Sequence, residues 1–291
     1  MTSADEMSRP SGVIHDIGYR RYTGPRLGRR HATVALYVHS VRTAFGLGRS
    51  AKAKVFPGIV VMLAFAVAVV AVAIRAQTDQ VVMTYLEYVD GLAIPMVLFL
   101  AVVGPEIVCR DLRARVLPLY FSRPLGRSDY ALAKLAAMVS AVWLLLAAPL
   151  LLMFLGGVFD QTGGASGAWN EFTDFLGGLG YAAITAVVLG AFAVPLASLS
   201  SRRAVGAVVI AAAFTVTTPI IGVVEEVGGT TARQVVPLVN PVGIVTGLKT
   251  WIYHTDAAEI GRFGPLYLVA AVAVVGVGAM ALILRYRKAA A

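Results

Sequence analysis

Residues 109–134 read CRDLRARVLPLYFSRPLGRSDYALAK, and how this stretch is placed decides how the rest of the chain is arranged. It is polar and Arg-rich, yet the segments on either side are apolar enough to span a bilayer, so it must lie in water on one face of a membrane. Its charge predicts the cytoplasmic face. Within it Val116, Leu117, Leu119, Tyr120 and Phe121 form a compact apolar cluster, bracketed by Arg113, Arg115, Arg123 and Arg127. A short amphipathic element pinned between two membrane helices suits pressing on a soluble partner. A solvated loop made basic by topology alone fits the spacing equally well.

Composition supports the membrane assignment. Of the 291 residues 58% are hydrophobic and only 14% charged, with a mean hydropathy of +0.77. A soluble core cannot use that much apolar side chain. The net charge of +9 raises nucleic acid as a partner. A nucleic-acid site needs a basic patch on a reading element, however, and here the cations are dispersed between apolar spans, so no nucleic-acid partner is expected. Cys109 is the only cysteine, which excludes an intrachain disulfide and a Cys-based metal site.

Six apolar runs of bilayer length are predicted as spans: residues 56–74, 91–109, 135–158, 176–199, 204–224 and 265–284. The first 56 residues hold no signal-peptide pattern; Val34, Val38, Val41 and Phe45 recur there at helical spacing, predicting an amphipathic helix on the inner membrane surface. The basic connector of Arg49, Lys52 and Lys54 would then sit over anionic headgroups. The second span is interrupted by Pro95, Gly104 and Pro105 and carries Glu106 near its inner end. A carboxylate there needs a partner, and Arg110, one turn on, is the expected one, making a possible gate-side ion pair. Residues 159–174 are predicted as a Gly-rich acidic loop, and the fifth span is expected to kink or end near Pro219. Residues 225–264 are too long for a plain connection; their apolar runs predict one or two short helices dipping back into the outer leaflet, with Trp251 and Tyr253 at the interface.

Charge assigns the sides. Of the 25 Lys and Arg, all but Arg75, Arg233, Lys249 and Arg262 fall in the segments predicted to be inside, so both termini are expected in the cytoplasm. The domains are thus a cytoplasmic N-terminal segment, 1–56, and a six-helix domain, 57–288, with the insert at 110–134 and the outer segment at 225–264.

Competing motifs are weak. Gly164-Ala165-Ser166-Gly167 matches the G-x-S-G of intramembrane serine proteases, but no His occurs in any predicted span. His15, His31, His39 and His254 all fall outside the spans, which removes a bis-His haem bundle. Glu225, Glu226, Asp256 and Glu259 could line an exit or bind a cation, though topological sorting of charge explains them more simply.

The pattern Asp111-x-Arg113 to Leu117, then Ser122-Arg123-Pro124-Leu125-x-Arg127-Ser128, then Lys134, resembles the segment after the second helix in ABC-2-type ABC transporter permeases, the group that includes NosY-like proteins. The chain departs from that pattern at Arg115 and Val116, where the family has Gly-Thr, and at Ala133, where it has Gly. The span order, the N-terminal helix and the long last connection also look like that family, so the resemblance covers most of the chain. It implies an all-α fold of the type V exporter kind and the transmembrane half of an ATP-driven exporter in a bacterial plasma membrane. Two permeases, identical or related, would each contact a separate ATP-binding subunit through Asp111, Arg113, Arg115, Val116, Leu117, Leu119, Tyr120, Phe121, Arg123, Pro124, Arg127 and Lys134. No G-x-x-x-x-G-K-[ST] loop occurs, so the chain is not expected to be an enzyme by itself or to hold a cofactor; ATP and Mg would belong to the partner. The rival readings are a secondary transporter or channel working without ATP, and a membrane anchor or sensor that moves nothing. Spans rich in Ala, Val and Gly offer no charged pocket, which fits an apolar or amphipathic cargo entering from lipid; a cargo passed to or from another protein fits equally well.

Overall fold

The computed structural model describes residues 23–24, 27–78, 80–114, 116–122, 124–159 and 164–289. These are all-helical, with no strand among them. Most of the first 28 residues, His15 among them, lie outside the described residues, as do Arg115 and Arg123.

A first helix, α1 (Arg29–Ala44), is followed by a turn at Gly46, where φ is +68° and a Cβ would come 2.6 Å from the Ala53 carbonyl oxygen, so only glycine fits. The stripe of α1 divides, with Val41 and Phe45 half-buried and Phe45 resting on Phe99. Val34 and Val38 point outward, whereas Leu36, Ser40, Thr43 and Ala44 are buried against α6 (Arg127–Phe159). Small Ser40 and Ala44 let the helices approach closely, and Tyr37 donates to Ser140 Oγ across the contact at 2.8 Å.

Helix α2 (Ala51–Thr78) carries Pro57 in its second turn; α3 (Tyr85–Gly91) is a short helix between the first two spans, started by a reciprocal Thr84–Glu87 capping box. Then come α4 (Ala93–Arg113), α5 (Leu117–Phe121) and α6. Helix α7 (Gly164–Ser198) begins twelve residues before the predicted fourth span, so most of the expected Gly-rich loop is helical. With 35 residues it runs about 50 Å, well beyond an apolar core of about 30 Å. What allows this is Glu171, an acid whose charge is matched inside the protein. The fifth span divides into α8 (Arg203–Thr215) and α9 (Thr217–Val227). Pro219 lies four residues after Thr215, and its ring and missing N–H account for the break there.

The 225–264 segment folds as α10 (Thr230–Val235), a 3-10 turn at Val236–Val239, and α11 (Pro241–Tyr253), capped by Asn240 with Pro241 as its first residue. Helix α12 (Gly264–Ala289) closes the chain. α11 buries Ile244, Val245 and Leu248 against α7 and α12; Tyr253 donates to the Gly177 carbonyl at 2.9 Å, so it is tied into the protein.

Helices α2, α4, α6, α7, α8–α9 and α12 are each long and apolar enough to cross a membrane. They alternate in direction, so α1, α5 and the end of α12 share one end of the bundle, called here the insert end. α6 and α7 form the central pair.

Candidate functional site

Helix α5 sits at the insert end with Pro118 in its first turn. Leu117 is buried and anchors it, while Leu119 is 68% exposed. Tyr120 and Phe121 do not project with Leu119. Their rings lean on Tyr130, at centroid distances of 5.5 and 6.0 Å, and Tyr130 rests edge-on against Tyr286 at 4.8 Å. The predicted apolar knob is therefore one exposed leucine on an aromatic footing. Val116 is half-buried, Arg110, Arg113, Pro124 and Arg127 are exposed, and the Arg127 guanidinium lies 5.8 Å from the Phe121 ring centre and donates to the Arg287 carbonyl at 3.1 Å.

Two residues expected on the docking surface lie beneath it instead. Lys134 is 3% exposed; its Nζ sits 2.8 Å from Asp111 Oδ2 and donates to the Ile107 carbonyl at 3.0 Å, and Tyr130 Oη donates to Asp111 at 2.6 Å. The sequence spacing of Asp111 and Lys134 set them at the two edges of the insert, and folding brings those edges together as a closed pair. At the surface, Arg29 clamps Asp129 in two bonds of 2.5 and 2.8 Å, tying α1 to the start of α6. Between α1 and α5 lies a cavity of about 510 Å³ lined by His31, Leu36, His39, Tyr120, Pro124 and Leu125 among others. Burial, then the nearby Lys134, pushes the His39 imidazole below its ordinary value.

Glu106 is not paired as expected. It bonds Arg49 at 2.6 Å and Arg203 at 2.5 Å, from the α1–α2 connection and the first residue of α8. Arg110, on the same helix, points elsewhere, because the two partners converge on Glu106 from neighbouring elements. Close by, Arg285 donates to the Ser198 and Leu199 carbonyls, and the Cys109 thiol donates to those of Ala197 and Ser200. Together they cap the end of α7, whose last carbonyls have no helical partner.

The opposite end holds what sequence reasoning missed. Arg75 of α2 forms a bidentate pair with Glu171 of α7, at 3.1 and 2.7 Å, and Tyr85 donates to the same carboxylate. Burial, reinforced by that bond, pushes the Tyr85 phenol up. Lys249 of α11, 4% exposed, pairs with Asp90, which also accepts from Tyr181. The signal was present in the charge distribution. Arg75, Arg233, Lys249 and Arg262 are the cations outside the basic end, and three of them are internally satisfied: two in these pairs, and Arg233 donating to the Gly228 and Glu226 carbonyls at the end of α9. Arg262 lies 5.6 Å from the ring centre of its neighbour Phe263. A cavity of about 720 Å³ touches both pairs through Arg75, Glu171 and Lys249.

Among the described residues no group of three or more His, Cys, Asp or Glu could hold a metal ion. Ser166 of the G-x-S-G match is exposed on the first turn of α7. The fold has the character of a multi-pass membrane protein. No family model, curated protein or solved structure matches the chain.

Proposed function

We propose that the chain is the transmembrane permease subunit of an ATP-driven ABC exporter, pairing with a second permease, a copy or a relative, and driven by separate ATP-binding subunits. The observation that carries this reading is α5: a short helix presenting Leu119, underpinned by Tyr130 and the Asp111–Lys134 pair, at the end where most of the basic residues among those described gather. Leu119 would seat in a groove of the ATPase, and Arg113 and Arg127 would meet its acidic rim. Because Asp111 ends α4 and Lys134 lies in α6, a push on α5 reaches both helices at once. That is the coupling a subunit without its own phosphate loop requires. The basic end is placed in the cytoplasm on the same reading, in a bacterial plasma membrane.

The test is co-purification of an ATPase with the chain, and its loss in Leu119→Asp with the fold intact. An Asp at position 119 that left assembly and ATPase stimulation unchanged would remove the proposal. A second reading, a secondary transporter, draws support from the Arg75–Glu171 and Lys249–Asp90 pairs, since ionisable groups inside a bundle are a feature of ion-coupled carriers. Transport that follows an imposed proton gradient without ATP would favour it.

A further inference from the structure

The cavity at the end of the bundle away from α5, between α4, α8–α9 and α11, has a volume of about 700 Å³. Its walls are apolar, with Ile94, Val97, Leu98, Phe214, Ile221 and Val242 prominent. The polar groups among them are already satisfied. Thr215, Thr218 and Thr246 each donate to the carbonyl four residues back, Thr218 of α9 reaching the Phe214 carbonyl at the end of α8. Asn240 donates to the Phe214 carbonyl and to Thr217, and accepts from the Val242 N–H. A guest in this space meets no group in need of a hydrogen bond, so the body it accepts is apolar.

The same cavity is bordered by three exposed carboxylates, Glu225, Asp256 and Glu259, none of which has a basic partner among the described residues. The one guanidinium on its lining, Arg233, is held by the two carbonyls at the end of α9. In a chain of net charge +9, this mouth is a local region of opposite sign. Helix α9, which forms one wall of the cavity, has no buried residue.

From the apolar interior, the satisfied polar groups and the unpaired acids together, we infer that this cavity binds a lipophilic organic cation, its hydrocarbon body between α4, α8–α9 and α11 and its charge beside Glu225, Asp256 and Glu259. As a binding site the inference stands on the cavity alone. As the class of substrate exported, it rests on the permease reading. Asp256 also borders the neighbouring cavity, whose Arg75 and Lys249 are each closed by a carboxylate, so Glu225 and Glu259 are the acids that belong to this mouth and not to that one.

Equilibrium binding of tetraphenylphosphonium and of tetraphenylborate, ions of the same shape and opposite charge, to the purified chain in phosphatidylcholine nanodiscs tests this without any ATPase. The expected result is saturable binding of the cation above that of empty discs, with the anion bound at least about tenfold more weakly. The combined Glu225→Gln, Asp256→Asn and Glu259→Gln variant weakens the cation by about tenfold, the size expected from losing several exposed charge interactions, and leaves the anion unchanged. Ala211→Trp, which fills the cavity, weakens both ions. Asp174→Asn, on the neighbouring cavity, leaves both unchanged and serves as the folding-matched control. Absence of saturable cation binding, equal affinity for the two ions, or insensitivity to both the neutralised mouth and Ala211→Trp would overturn the inference. Since no partner is present in this assay, such a failure leaves the permease reading untouched; loss of the ATPase in co-purification removes the export role but not the site.

Discussion

Lys134 Nζ stands 2.8 Å from Asp111 Oδ2, joining the last turn of α4 to the second turn of α6 directly beneath α5. Lys134 is almost wholly buried and Asp111 largely so; Lys134 donates also to the Ile107 carbonyl, and the same Asp111 oxygen accepts from Tyr130. An ion pair so enclosed fixes where two helices meet more than it adds net stability, because both charges gave up water to form it.

It follows that single and paired substitutions will not add. Lys134→Met leaves Asp111 without its cation, and the cost of stranding a buried partner is about 3 to 5 kcal/mol. The double variant Lys134→Met with Asp111→Leu leaves no charge unpaired and costs only the Tyr130 hydroxyl its acceptor. Thermal melting of the purified protein in detergent should therefore rank wild type and the double variant above Lys134→Met alone, and additive losses would contradict the closed-pair geometry.

Gly157 gives a second test at the opposite end. A Cβ there would overlap the Glu171 carboxylate and come within 2.8 Å of Arg75 Nη1. That carboxylate cannot swing aside freely, since Arg75 and Tyr85 both hold it. Gly157→Ala is expected to destabilise by about 1 to 3 kcal/mol, the usual cost of overpacking, and Gly156→Ala to act instead through Val72, the side chain its Cβ would overlap. In a Glu171→Ala background, where the overlapping carboxylate is gone, Gly157→Ala should cost little further while Gly156→Ala costs as much as before, a difference that melting experiments would read.

How much of this arrangement the sequence disclosed depended on the range of the forces involved. The six spans are long uninterrupted apolar runs, so local composition alone locates them. Their ends shift where a polar residue is neutralised by a distant one: α7 continues through Asn170, Glu171 and Asp174 because Glu171 meets Arg75, 96 residues away. The partner of Glu106 was misread for the same reason. Arg110 is one turn along the chain, but Arg49 and Arg203, 57 and 97 residues distant, arrive there only when α2 and α8 pack. The aromatic cluster of the insert was legible, yet its division into exposed Leu119 and supported Tyr120 and Phe121 is set by Tyr130 and Tyr286, from outside the cluster.

Glu106 supplies a third prediction. Its removal by Glu106→Ala frees both Arg49 and Arg203, so amide exchange should quicken around the α1–α2 connection and the start of α8. The global loss should stay near about 1 to 2 kcal/mol, since these pairs are partly solvated. Arg110→Ala should lie within about 0.5 kcal/mol of wild type and leave exchange at both places unchanged. A reversal of that ranking would restore the one-turn pairing on α4.

His39 sets the pH behaviour of α1. Burial lowers its basicity first, Lys134, Arg110 and Arg42 lower it further, and Asp111 opposes them. The folded protein therefore favours the neutral ring. In the unfolded chain the imidazole takes its proton near its ordinary value of 6.5, so on acidification the unfolded state gains protons first and stability falls. That contribution is complete above about pH 6.5 and is lost as pH falls toward the lower value of the folded state. Measured as melting temperature against pH, the fall should begin below about 6.5 in the wild type and be reduced in His39→Gln, which cannot be charged. Amide exchange should place the loosening in α1, where Ser40, Thr43 and Ala44 pack on α6, rather than in the helices of the central pair.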